Sequence, residues 1–225
     1  MFRMLDTQLL IELEQSWKDA GALYLGDMRP GLTDADINQR IAQLGFDLPE
    51  EAWRWYRWHD GSSDHYVTSF RIMTSLAEDV DETMTLQSND PTWPPGWLKA
   101  MNEQPYVIFD CRGAIDTPVP VWHYYQGLVF PTRPLFKSIG DMIMSWIRLI
   151  NEGHMLWSVD RGWYLRDPCR LRYSSCSAAF PVIRNGSAQR VRSPRLIQRR
   201  RRQSPRPTDP IRPCPECSTT GFSTT

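Results

Sequence analysis

Apolar residues recur at helical spacing from the start of the chain. Leu5, Leu9, Leu10, Leu13, Trp17 and Ala20 share one side of a helical wheel, with Gln8, Glu12, Gln15 and Lys18 elsewhere and Gly21 as a stop. Thr33 is the expected N-cap of a second helix carrying Ile37, Ile41 and Leu44, with Asp34 and Asp36 in its first turn and Gly45 just past its end. Leu48-Pro49-Glu50-Glu51 opens a third, because proline is tolerated where no amide donor is needed and acids suit the positive end of the dipole. Leu48, Ala52, Trp55, Tyr56 and His59 then face one way, Glu50 and Arg57 face the other, and Trp53 and Trp58 sit on the margins. Asp60-Gly61 reads as the turn that ends it.

The middle of the chain changes period. Val67 to Met73 predicts a short strand, Ser75 to Glu78 a capping box for a brief helix, and Trp93-Pro94-Pro95-Gly96-Trp97 a rigid turn. Tyr106 to Phe109 and Val119 to Tyr125 are rich in β-formers, and Pro120 places the latter at a sheet edge or a bulge. Gly127 is expected to turn that run into Leu128 to Phe130. Ser138 caps a last helix, with Ile139, Met142, Ile143, Trp146, Leu149 and Ile150 on one face and Gly153 at its end. Helices first, strands in the middle and a closing helix predict an α+β domain with helices packed on a mostly antiparallel sheet.

Charge adds a seam to this picture. The 225 residues carry no net charge. Yet residues 168–225 hold twelve Arg, no Lys and two acids, a charge of +10, which leaves fourteen bases and twenty-four acids, or −10, for residues 1–167. All ten Trp also precede the seam. Too little apolar surface remains beyond it to offset an ordering cost of roughly 1–2 kcal/mol per residue, so residues 168–225 are expected to be a disordered basic Arg/Ser/Pro-rich tail. The same lysine-free composition also arises when a GC-rich gene is read in a shifted frame, and composition leaves both origins open. The first residues carry no apolar signal region and no run of about 18 apolar residues occurs, so a cytoplasmic protein without membrane partners is expected. Four of five Cys lie at or beyond the seam, which excludes a disulfide framework for the body.

Nucleotide-binding glycine loops, the nucleophile elbow and the His-Glu-x-x-His motif are absent from the sequence. His59, Asp60, Asp64 and His65 supply imidazoles and carboxylates for a metal, and His59, Asp64 and His65 define the metal-dependent enzyme alternative. The bland reading is stronger: His59 lies on the apolar side of its helix and Asp60-Gly61 serves chain reversal. Cys111 with His123 resembles a thiol and its base, but a buried small hydrophobe is the simpler role for a cysteine after an apolar strand. Cys214 and Cys217 form half a zinc knuckle without a second pair, so no metal or cofactor is expected. Arg199 to Arg202 offer the one route to nucleic acid, through phosphate charge alone.

Three stretches resemble the SUKH superfamily, the Smi/Knr-like proteins: Met28-Arg29-Pro30-Gly31-Leu32-Thr33, Leu44 to Glu51, and Trp55-Tyr56-Arg57-Trp58-His59-Asp60-Gly61. The Trp93 turn, the Tyr106 strand, Pro118-Val119, Ser138 to Gly153 and Asp160-Arg161-Gly162-Trp163 follow in the same order. The resemblance covers about residues 5–167 and implies residues 1–167 as a non-enzymatic SUKH-like domain. Such domains serve in bacteria as immunity proteins that neutralise a cognate toxin of a polymorphic system, and in fungi as regulatory scaffolds. A −10 body suits a basic partner, because opposite charge speeds encounter. Aromatics beside charge make good interface anchors, so Trp53 and Trp58 with Asp60 and Asp64 are the expected partner-binding residues.

Overall fold

Residues 3–22, 27–62, 66–68, 71–102, 105–125, 132–158 and 162–166 are described by the computed structural model. The expected Leu128 to Phe130 strand, Asp64, His65 and the tail from Pro168 lie outside the described residues.

Helix α1 (Thr7–Asp19) starts where the Asp6 carboxylate accepts the Leu9 amide at 2.7 Å, and it buries Leu9, Leu10, Leu13 and Trp17 as the period requires. Helix α2 (Asp34–Ile41) opens on a reciprocal capping box between Thr33 and Asp36. It is shorter than its apolar pattern. Leu44 is buried in the turn that follows, donating its amide to the Ile41 carbonyl at 2.9 Å, and Gly45 takes φ +74°. Helix α3 (Glu50–Trp58) has Pro49 as its N-cap, which offers no side-chain bond. The carbonyl of Ile115 accepts the free Glu50 amide instead, at 2.7 Å.

The end of α3 departs from expectation. Asp60-Gly61 is no turn: the helix passes directly into strand β2 (His59–Ser62), which pairs antiparallel with β1 (Met28–Pro30). Gly61 has φ +89°, and a Cβ there would lie 2.8 Å from the Ser75 amide nitrogen. Glycine is thus demanded by a close backbone approach rather than by chain reversal. The run Val67 to Met73 is likewise two strands, β3 (Tyr66–Thr68) and β4 (Arg71–Met73), paired antiparallel. The brief helix after Ser75 is the 14-residue α4 (Leu76–Asn89).

Three strands had no sequence signal strong enough to predict them. β5 (Trp97–Asn102) follows the Trp93 turn, and β8 (Met155–Ser158) with β9 (Gly162–Leu165) forms a hairpin after α5 (Ile139–Asn151). β5 pairs with β4 and with β6 (Tyr106–Asp110), and β7 (Val121–Tyr124) completes a five-stranded sheet ordered β3-β4-β5-β6-β7. All these pairings are antiparallel, so the fold is α+β. Pro120 falls just before β7 at the sheet edge, where its missing amide costs no ladder bond, and its carbonyl accepts the Asp110 amide at 2.9 Å.

The pleat of β5 to β7 divides the side chains between two layers. Leu98, Val107, Phe109 and Val121 join the main core with α1, α3 and α5, where Trp55 meets Phe109 and Trp146 edge to face at 5.9 and 6.4 Å. Trp97, Ile108 and Tyr124 form a second cluster with Leu86 of α4 and Trp93. The register slips between Lys99 and Met101, so Ala100 and Met101 both enter the main core. Lys99 is consequently held on the α4 side with no solvent exposure.

Candidate functional site

Trp53 and Trp58 are five residues apart on α3, about 140° around the helix, and the structure does not bring them together. Trp53 is half-buried with the Arg57 guanidinium 5.0 Å above its ring. Arg57 is itself held, by Asp34 at 2.6 Å and Glu50 at 3.4 Å, while Arg54 bonds Glu50 at 3.0 Å and the Leu5 carbonyl at 2.7 Å. The result is a fixed aromatic and arginine surface. Trp58 turns the other way, onto α1: it stacks on Trp17 at 5.7 Å and donates its indole N–H to Glu14 at 2.7 Å.

Asp60 was expected at the surface beside these aromatics and is buried instead. Its carboxylate takes the Arg40 guanidinium at 2.7 Å and the Leu76 amide at 2.8 Å, so it caps α4 and anchors α2. His59, the first residue of β2, packs against the Trp58 ring at 4.6 Å and places Nδ1 2.9 Å from the Arg29 carbonyl. Since a carbonyl only accepts, Nδ1 carries the proton in that bond. Nε2 lies 3.5 Å from Glu14. No three His, Cys, Asp or Glu side chains converge for a metal among the described residues. Asp64 and His65, needed for the metal-dependent reading, and Cys169, Cys176, Cys214 and Cys217 lie outside those residues.

Cys111 is buried, and burial pushes its thiol well up, with Asp110 adding to the effect. Its carboxylate neighbour Asp110 is taken up by Arg112 at 2.6 Å. The β6–β7 register sets His123 opposite Val107, four residues before Cys111. At strand spacing that is roughly 13 Å, so the pair forms no dyad.

Two buried ionisable centres escaped sequence reasoning. Glu51, one residue from the N-cap region where it read as a dipole acid, is fully buried. Its Oε1 accepts the amides of Leu5 at 2.5 Å and Gly140 at 3.2 Å, and its Oε2 accepts that of Val119 at 2.6 Å. Burial raises its carboxyl above the ordinary value, and the amide donors, including Ile139 at the α5 N-terminus, oppose this only in part.

The second centre lies under α4. Asp79 accepts from the Tyr56 hydroxyl at 2.9 Å, from the Thr74 hydroxyl, and from Lys99 Nζ at 3.3 Å. Lys99 Nζ also meets Glu82 at 2.9 Å and Asn102 at 2.6 Å. A signal for this centre was present: Lys99 interrupts the apolar run Trp97-Leu98-Lys99-Ala100-Met101, and Asp79 falls in phase with Leu76, Val80, Thr83 and Leu86.

No protein-family model and no curated protein sequence matches the chain.

Proposed function

We propose that residues 1–167 act as a non-enzymatic, protein-binding domain of SUKH type, an immunity protein that neutralises a cognate toxin by stoichiometric burial of its active site or an exosite. The observation that carries this reading is the outer face of α3. Trp53 there keeps solvent exposure under the Arg57 guanidinium, and Asp34 and Glu50 fix that guanidinium before any partner arrives. Tryptophan and arginine dominate binding hot spots, and side chains already ordered lose less entropy on association. Among the described residues, Asp60, Glu51, Asp79 and Asp110 are committed to internal bonds and Cys111 is buried.

The test is a pull-down of the full chain with the product of the adjoining gene, followed by titration of wild type and Trp53→Ala. A toxin partner should be captured, and the variant, which also loses Trp53's packing on the core and is assayed where it remains folded, should bind at least about tenfold more weakly. A partner that is no toxin would point to the scaffold role of the same fold. Unchanged affinity and unchanged stability in Trp53→Ala would remove the α3 face from the interface.

A further inference from the structure

We propose that the buried Asp79–Lys99–Glu82 cluster is a proton-operated latch that sets how firmly α4 is held on the sheet around neutral pH. The inference is independent of the partner reading, because it concerns how one helix is fastened. Asp79 and Lys99 have no solvent-exposed side-chain surface, whereas Glu82 reaches water at 42% exposure. Two carboxylates therefore share one ammonium. Lys99 Nζ lies nearer to Glu82, at 2.9 Å, than to Asp79, at 3.3 Å. What remains for Asp79 is two neutral hydroxyl donors, Tyr56 from α3 and Thr74 from the segment before α4.

Among the described residues the ionisable groups around Asp79 are Lys99 from β5, Glu82 from α4 itself and Tyr56 from α3, with Asp60 and Cys111 beyond Tyr56, so Lys99 is the one cation there. A fully enclosed carboxylate that shares its cation with a second acid is relieved by taking up a proton, and the buried Asp79, not the solvated Glu82, takes it. Burial accordingly pushes Asp79 up to about 7, against the opposing pull of Lys99, Thr74 and Tyr56. The sign of the consequence follows from linkage. The folded value lies above the unfolded one of about 3.9, so the closed state holds the extra proton between the two values. Stability from this group is thus complete below the unfolded value and is lost as pH rises toward the folded one. The latch is tight in mild acid and loosens as neutrality is approached.

Hydrogen exchange of the α4 amides in the full chain, corrected for intrinsic rates, reads this directly. Opening of α4 should increase by up to about tenfold per pH unit between pH 5 and 7, one proton's worth, and level off above. In Asp79→Asn the profile should be flat. A carboxyl-carbon NMR titration of wild-type Asp79 gives the second readout, which does not depend on the variant folding. A midpoint near neutrality is expected; a midpoint below about 5, or an α4 profile as steep in Asp79→Asn as in wild type, would overturn the latch.

Discussion

Replacing Glu51 tests whether a single carboxylate holds the main core together. In Glu51→Ala three amides lose their acceptor at once: Leu5 before α1, Val119 before β7 and Gly140 in the first turn of α5. A buried, unsatisfied N–H costs roughly 1–3 kcal/mol, which sets an upper bound of about 9 kcal/mol for three. Two terms reduce it. Burial has already raised the Glu51 carboxyl, so removing the charge relieves a desolvation penalty. Water entering the space left behind also recovers part of the hydrogen bonding. A net loss of about 3–6 kcal/mol remains, against a total stability of about 5–15 kcal/mol for an ordinary domain. Glu51→Gln separates charge from geometry. It keeps one oxygen for Leu5 and Gly140 but turns an NH₂ toward the Val119 amide, donor against donor, and should cost about 2–3 kcal/mol. Urea denaturation followed by tryptophan fluorescence measures both as shifts of midpoint at unchanged slope. An alanine variant losing less than about 1 kcal/mol would refute the view that these segments are joined through Glu51.

Two further outcomes bear on neighbouring contacts. Gly31→Ala places a Cβ 1.7 Å from the Arg57 carbonyl oxygen, so β1 or the end of α3 must shift, and thermal unfolding should show a loss of about 1–3 kcal/mol or more. Lys99→Met removes the ammonium that Asp79 meets; denaturation should show a loss of about 3–5 kcal/mol at pH 8 and a smaller one at pH 5, and equal losses at both would contradict a titrating Asp79.

The helices were legible in the sequence because their signals are local. Thr33, Ser75 and Ser138 each cap the helix they precede, and a cap needs only the next three residues. The strands were legible where their apolar runs are unbroken, as in Tyr106 to Asp110. β5 was missed because Lys99 and Asn102 break its pattern: Lys99 reaches Asp79 on α4, 20 residues back in sequence, and Asn102 accepts from Lys99 within the strand itself. Asp60-Gly61 misled for a related reason. Its glycine answers to the Ser75 backbone and its aspartate to Arg40 and Leu76, none of which a local turn rule contains. Both tryptophans of the candidate surface are partly buried against the main core, Trp53 under the Arg57 guanidinium and Trp58 on Trp17 and Glu14, and how α1 docks sets the second contact beyond the reach of a helical wheel.

These contacts make α3 the member from which the rest of the domain is hung. Glu51 ties it to the chain ahead of α1, β7 and α5, Trp55 fills the main core, Tyr56 reaches Asp79 beneath α4, and Trp58 seats α1. A helix so occupied on its inner and lateral faces has one stripe left to offer, the one bearing Glu50, Trp53, Arg54 and Arg57. The charges there are paired, Glu50 with Arg54 and Arg57, and Arg57 also with Asp34 at the start of α2, so a partner would meet an aromatic ring framed by paired ions rather than a field of free acid. On the proposed reading, long-range attraction would draw on the −10 of residues 1–167, which residues 168–225 offset in the whole chain, and specificity on the ring and its frame. The two contributions separate experimentally: salt should weaken the rate of encounter, and Trp53→Ala should raise the rate of dissociation.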